Sequence, residues 1–379
     1  MPSLYDRLNS IRPLSQQAPK PPAHPDCLVE THWVDLPDMS GDLFSAQVAQ
    51  TLTNGLVAQQ LAPEGLLFFD TETTGLSRGA GTLAFLIGYG QIAGSRLKIT
   101  QVLMRDYPQE PLLLDDFLTR AEDSELLVTY NGASFDLPLL QSRLTMNRKR
   151  ADPLDKPHLD LLHAARRVFK LRLGRCPLSR MEEMVFGFTR EHDLPGALVP
   201  ERYFSYLKEQ DETLLRDVLD HNRQDILTLA MLYLRLAALH ARPHEAEHQQ
   251  DLFSLGRLFE RGGDAQRAIS CYKACSDKDV REIARLRMAE IYRRQRMDEQ
   301  AASEYEQLRA QGAISPRVYI SLAKIYEHRF RDPARALEIA RQGMIYCYER
   351  RGQDALNDPD FQDLEKRSLR LIRKAEKST

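Results

Sequence analysis

From residue 65 onward, apolar and polar positions fall into short runs of changing period. GLLFFDTE (65–72), TLAFLIGYG (82–90) and SRLKITQVLMRD (95–106) are strand-like runs. The gap after the first is glycine-rich, and QIAGS after the second has hairpin length. PLLLDDFLTRAE (111–122) takes helical spacing, and ELLVTY (125–130) is an apolar strand. FDLPLLQSRLTMNR (135–148) is a helix whose Pro138 is tolerated only in the first turn, which fixes its start. HLDLL (158–162) leads into a basic helix, AARRVFK. Ser179 and Glu182 have the spacing of a capping box before MEEMVFGF, and a long helix is predicted over 212–240. Three antiparallel strands followed by alternating helix and strand predict an α/β module: a mixed sheet with helices on both faces.

The two ends read differently. Pro13, Pro19, Pro21, Pro22 and Pro25 stand among Gln, Ala and Lys, the composition of an extended or disordered lead. Residues 26–60 are weakly patterned. Past residue 248, Leu255-Gly256, Met288-Ala289 and Leu322-Ala323 recur at spacings of 33 and 34. Asp264, Asp298 and Asp332 recur at 34, each followed four residues later by Ala268, Ala302 or Ala336. Small residues at fixed places let paired helices approach closely, and this period is the tetratricopeptide signature. Plain helical hairpins stay open as the alternative. The expected organisation is a partly disordered segment over 1–60, the α/β domain over 61–242 and helical repeats over 248–379.

Composition narrows the classes. The 379 residues are 42% hydrophobic and 28% charged with net charge −2, which excludes a uniformly basic nucleic-acid binder. Nucleic-acid contact would need a local patch. Residues 141–175 supply one, with ten Lys and Arg against three Asp, a local +7. A phosphate backbone suits it, with Arg148, Lys149 and Arg150 as candidate contacts; a solvated helix face is the alternative. Five scattered cysteines form neither a zinc pattern nor a disulfide framework, pointing to a reducing compartment. The N-terminus has no apolar core, and no 18-residue apolar run occurs, so a cytoplasmic location without membrane contact is expected.

Candidate chemistry starts at the tip of the first strand. Asp70 and Glu72 alternate onto one face, where two carboxylates repel unless a proton or cation sits between them. Hard divalent cations favour such oxygen ligands, although a polar strand end entering a turn would look the same. Asp136 follows a second strand end, at the start of a helix. Asn131 and Gly132 suit the turn before it. An Asp in a first helical turn is also favoured by the helix dipole alone. In the long helix, DHNRQD (220–225) interrupts an apolar face, and His221 and Asp225 are four apart on one side. Four carboxylates and a histidine are the parts of a two-metal phosphodiesterase, with histidine able to take a water proton near neutral pH. Asp160 is a further strand-end acid, read as a cap or support. Tyr130, Phe135 and Tyr203 could stack on bases or pack in the core.

FDTETTGL, YNGASFDLPLL and HNRQDILTL resemble, in order, the three motifs of the DEDD (DnaQ-like) superfamily of 3′→5′ exonucleases, which have a ribonuclease H-like fold. SRGAGTLAFLIGYG, HLDLLHAARR, CPLSRMEE and DLPG, with a tetratricopeptide-like tail, look similar to the YprB-type branch. The resemblance covers 65–240 well and the tail more loosely. It implies a ribonuclease H-like mixed sheet with the first predicted strand central, and an all-α tetratricopeptide-like domain after it. It implies ligation of two Mg²⁺ or Mn²⁺ ions by Asp70, Glu72, Asp136 and Asp225, with His221 as general base. Thr73, Gly75 and Leu76 would line the terminal nucleotide's pocket, and Asn131 would hold the turn or the substrate. One departure concerns the base. Histidine-type members usually carry four residues between histidine and the last aspartate; here there are three, the spacing of the tyrosine-type subclass. The expected activity is a metal-dependent 3′→5′ exonuclease on single-stranded DNA or RNA, with the repeats docking a protein partner. A nucleic-acid-binding adaptor and a ribonuclease H-like endonuclease are the alternatives.

Overall fold

The computed structural model describes residues 26–37, 39–75, 81–190, 194–312 and 314–376. Its chain forms two compact units: one holds Leu56–Leu162, Pro177–Leu234 and the chain up to Ala49, the other Gln50–Gly55, His163–Cys176 and Arg235–Thr379. The division is not linear in sequence, since residues 163–176 group with the helical region.

The first unit is built on six strands: β1 (Leu28–Asp35), β2 (Leu66–Thr73), β3 (Ala84–Ala93), β4 (Arg96–Leu103), β5 (Leu126–Thr129) and β6 (His158–Asp160). Their order is β1-β4-β3-β2-β5-β6. β2 pairs antiparallel with β3 and parallel with β5, so the first strand predicted from sequence lies inside the sheet. Leu66 to Phe69 are fully buried, which explains their unbroken apolar run. Two residues join β3 to β4. Gly94 takes φ 62° in that turn, a conformation that glycine adopts without strain. β1 corrects the weak reading of residues 26–60. LVETHWVD alternates half-buried and exposed positions as an edge strand, antiparallel to β4.

Helices of this unit cover both faces: α2 (Glu110–Asp123), α3 (Asp136–Met146), short α5 (Leu178–Met181), α6 (Val199–Glu209) and the first part of α7 (Arg216–Ala241); α1 (Ala46–Leu52) and α4 (Leu161–Leu173) carry the chain into the second unit. On one face Phe85 stacks on Tyr203 with ring centroids 4.0 Å apart, and Phe69 packs on Phe117. On the other, Phe68 meets Tyr233, which in turn meets Phe44. The expected capping box is not formed. Pro177 is the N-cap of α5, Ser179 lies inside the helix, and Glu182 opens a π-helical turn, Glu182–Phe186. The long helix begins at Arg216, after a 3-10 turn, Glu212–Leu215, capped by Asp211.

The second unit continues with α8 (Gln249–Arg261), α9 (Ala265–Ala274), α10 (Lys278–Arg294), α11 (Asp298–Ala310), α12 (Pro316–His328), α13 (Pro333–Arg351) and α14 (Pro359–Glu376). The periodic residues have identifiable tasks. The Asp264 and Asp332 side chains accept from the amides of Arg267 and Arg335 as N-caps. Asp298 instead opens its helix and pairs with Arg329. Ala268, Ala302 and Ala336 are buried between helices. Among the described residues no helix is long and apolar enough to cross a membrane.

Candidate active site

β2 ends in four consecutive polar residues, Asp70 to Thr73. A side chain at 71 alternates away from those at 70 and 72, yet all three serve one cavity of about 280 Å³. Asp70, Glu72, Thr73, Gly75, Asn131 and Asp136 line it, with Tyr130 and Phe135 beside them. Asp136 is placed by Thr71, which donates to its Oδ1 from the backbone amide at 3.2 Å and from Oγ1 at 2.6 Å. Asp160 holds the intervening turn. Its Oδ1 accepts from the amides of Asn131 and Leu162, and its Oδ2 accepts from that of Ala133. Asn131 can follow this turn because it takes φ 65°, which Asn tolerates better than most residues.

A gap in the sheet brings helix α7 to β2. Asp70 lies opposite Gly88, and Gly88 opposite Gln101, in one row across three strands. A Cβ at Gly88 would stand 2.0 Å from Asn222 Oδ1, so only glycine admits the fully buried Asn222 there. Gly90 likewise admits Ile226, whose Cγ2 would lie 2.7 Å from a Cβ at that position. Asn222 Nδ2 donates to Asp70 Oδ2 at 3.1 Å, and its Oδ1 accepts from Gln101 Nε2 at 3.0 Å. One amide therefore sets the phase of α7, and His221 and Asp225 follow from it.

Burial raises all four acids. Burial raises the Asp70 carboxyl well above the usual range, and the charges of Asp136, Asp225 and Glu72 raise it further against the Asn222 hydrogen bond. Glu72 is pushed up by burial and then by Asp225 and Asp136, with Arg190 opposing. Asp136 is raised by burial against its Thr71 bonds, and Asp225 by burial against the charges of His221 and Arg190.

Arg190 and Glu182 complete the site; sequence reasoning passed over Arg190 and read Glu182 as half of a capping box. The Glu182 side chain is 1% exposed, accepts from Thr228 Oγ1 at 2.6 Å, and takes a two-pronged bond from Arg190 Nε and Nη2 at 2.7 and 2.6 Å. Arg190 Nη2 also donates to Asp225 Oδ1. Its Nη1 lies 3.2 Å from His221 Nδ1. A guanidinium only donates, so Nδ1 accepts and the imidazole proton is assigned to Nε2, 3.6 Å from Asp225 Oδ2. Burial works against the Arg190 charge, but Glu182 and Asp225 hold its pKa above the ordinary value.

The donor set suits hard cations: every candidate ligand is a carboxylate oxygen, and Arg190 bonds only Asp225 among the four. Among the described residues, however, no three His, Cys, Asp or Glu side chains converge in ligating geometry. Asn222 bonds Asp70 at Oδ2, Thr71 bonds Asp136 at Oδ1 and Arg190 bonds Asp225 at Oδ1, so each carboxylate keeps its second oxygen outside these bonds. Charge and chemistry fit a metal.

Other expectations divide. Leu76 lies outside the described residues. Tyr203 is core, stacked on Phe85 with its hydroxyl donating to the Met104 carbonyl. Arg148, Lys149 and Arg150 do not line the cavity. They follow the far end of α3, about 15 Å along its axis from Asp136 by the helical rise. Lys149 pairs with Asp115 and Arg150 with Asp152. Arg143 is buried in a two-pronged bond to Glu110, and Lys156 caps the carbonyls of Ala121, Glu122 and Ser124. Much of the basic run is therefore structural.

Three comparisons bear on this geometry. The RNase_H superfamily profile RNase_H_2 matches residues 67–237, the span that holds every acid of the cavity. The uncharacterized protein YprB of Bacillus subtilis (strain 168) is 33% identical over 331 residues, 85% of this chain and 78% of that protein. The family B DNA polymerase of the hyperthermophilic archaeon Pyrobaculum calidifontis is similar over 65% of this chain and 33% of its own, with 13% identity and a TM-score of 0.39.

Proposed function

The chain belongs to the YprB family of the RNase_H superfamily, and on that premise we propose that it is a metal-dependent 3′→5′ exonuclease of single-stranded nucleic acid. RNase H-like nucleases generally use divalent metals. The observation that carries the reading is the burial together of four carboxylates from β2, α3 and α7, each raised above its ordinary range, with Asp70 and Glu72 raised further by the charges of the others. Structural ion-pair networks neutralise such charge, whereas this cluster leaves it in excess.

Asp70, Glu72, Asp136 and Asp225 would hold two Mg²⁺ or Mn²⁺ ions. Bound there, the ions activate water and stabilise the attacking and leaving oxygens. His221 accepts the water proton at Nδ1 once Arg190 withdraws from it, while Nε2–H faces Asp225. The cavity floor at Thr73 and Gly75 meets the terminal nucleotide. A pocket of single-nucleotide size supports attack at a strand end over attack within a duplex. The 34-residue spacing of small residues supports a tetratricopeptide-type tail, and five free thiols support a reducing compartment, the cytoplasm.

One observation favours the adaptor reading: Arg190 occupies Asp225 as a cation would. The deciding experiment incubates the protein with Mn²⁺ or Mg²⁺ and 5′-labelled single-stranded DNA or RNA, with Asp225→Ala as control. A ladder shortening from the 3′ end and absent in the control is expected. Internal cuts would make it an endonuclease, and salt-sensitive binding without cutting would favour the adaptor. His221→Ala should slow turnover by about 10²–10⁴-fold, the range for loss of a general base; a wild-type rate would remove His221 from that role.

A further inference from the structure

The second unit holds a groove of about 740 Å³ between α4 and α8. His163, Arg166, Arg167 and Lys170 of α4 lie at i, i+3, i+4 and i+7, one stripe of a helix. The facing stripe of α8 has the same spacing, and Arg257 and Arg261 are its charged members. No acid lines the groove. Asp251, the nearby acid of α8, is taken by Arg172, whose Nε and Nη2 reach its carboxylate at 2.9 and 2.8 Å and tie the two helices together.

The groove is unusual in this chain for the state of its charges. Buried arginines elsewhere are matched, as in Arg143 with Glu110 or Arg190 with Glu182. Exposed unpaired ones such as Arg148, Arg281 and Arg341 are scattered, whereas the groove gathers its cations on two facing stripes. Arg166, Lys170, Arg257 and Arg261 make no ion pair among the described residues. Arg167 spends Nη2 on the Leu52 carbonyl, while its buried Nε finds no hydrogen-bond partner. Keeping five permanent cations together without counter-charges raises the energy of the free protein, and a polyanion relieves it.

We propose that this groove binds the phosphate backbone of a nucleic-acid strand, an anchoring site carried by the helical unit. This rests on the nuclease reading above for the identity of the polyanion. Arginine forks and a lysine suit phosphate oxygens. No aromatic side chain lines the groove to stack on a base, so the contact reads charge and not sequence. A membrane surface fits less well, because Leu252, Phe253, Leu255 and Phe259 of α8 are buried within the unit and the groove's apolar lining is confined to exposed Leu171 and half-buried Leu258.

The test measures binding of a fluorescein-labelled oligothymidylate to the full chain in EDTA, as a function of salt. Arg257→Gln with Arg261→Gln should weaken binding and flatten the slope of log K against log salt by about 1.4, two single-strand phosphate contacts. A charge-matched pair on exposed positions outside the groove, Arg317→Gln with Lys366→Gln, should keep the wild-type slope, and each variant should keep the wild-type thermal transition. Equal slopes for wild type and groove variant overturn the site. An equal fall in the control also overturns it, as diffuse attraction. Loss of binding to phosphatidylserine vesicles with an unchanged oligonucleotide slope reassigns the groove to membranes. Binding as expected without cleavage under Mn²⁺ would leave the groove standing and remove the nuclease; cleavage with an unaltered slope would do the reverse.

Discussion

Glu327 on α12 and Asp70 on β2 are both acids held away from bulk water, and their surroundings differ in one respect. Glu327, with a side chain 1% exposed, accepts from Arg367, Arg370 and Lys374. Burial pushes its pKa up, but the hydrogen bonds from Arg370 and Lys374 and the charges behind them bring it below the ordinary value. Asp70 has Asn222 as its hydrogen-bond partner and three acids as neighbours, so burial and repulsion act together. Cations from the chain stabilise one acid. The other is raised by burial and by the chain's own acids. Surplus negative charge therefore separates a site from a clamp better than burial does.

The contrast can be broken most decisively at Asp70. Asp70→Asn should lower cleavage by at least about 10³-fold, the several kcal/mol that metal stabilisation supplies to a transition state. In EDTA the same variant should be the more stable protein at pH 8. The folded pKa of Asp70 lies above its unfolded value, so the folded state binds the extra proton between them and stability falls as pH rises through that window. Melting curves of wild type and variant should converge near pH 4 and separate as pH rises. A variant less stable at pH 8 would contradict the assigned repulsion.

Glu327→Gln should do the opposite. It removes the partner of Arg367, whose side chain is 5% exposed, and should destabilise the helical unit by about 3 kcal/mol at pH 7. Arg370 and Lys374 are half-exposed and add little. Because the folded pKa is lowered, the loss is full above the unfolded pKa and disappears as pH falls through the folded one. Urea unfolding across that range checks the sign.

Arg190→Gln sharpens the comparison with a smaller effect. Freed from the guanidinium, Asp225 should bind Mn²⁺ about tenfold more tightly, about 1.4 kcal/mol, by titration of the metal requirement or by calorimetry. Unaltered metal affinity would show that the Arg190 contact does not compete.

The mixed sheet, its central first strand and the candidate acids were legible because each has a local signature. Strand runs show period or density, and Asp70, Glu72, Asp136 and Asp225 interrupt apolar patterns. β1 was not legible, since an edge strand half in water has little apolar contrast. Glu182 was seen for its spacing to Ser179 and assigned a cap, whereas the structure buries it under Arg190. Asn222 lay inside the polar interruption, yet nothing local distinguishes an amide that enters a sheet from one in water. The basic run misled in part, because Arg143 and Lys156 are matched by partners far along the chain. Its counterpart on α8 is separated by some eighty residues and has no charge excess of its own to notice.

Gly88 carries neither charge nor proton, and no inventory of catalytic acids would include it. An alanine there would deny Asn222 its seat and shift the register between the strand of Asp70 and the helix of Asp225. Every residue by which such an enzyme is recognised would still be written in the chain. Among relatives of this protein, a motif search would then report a living nuclease where a single methyl group had silenced it.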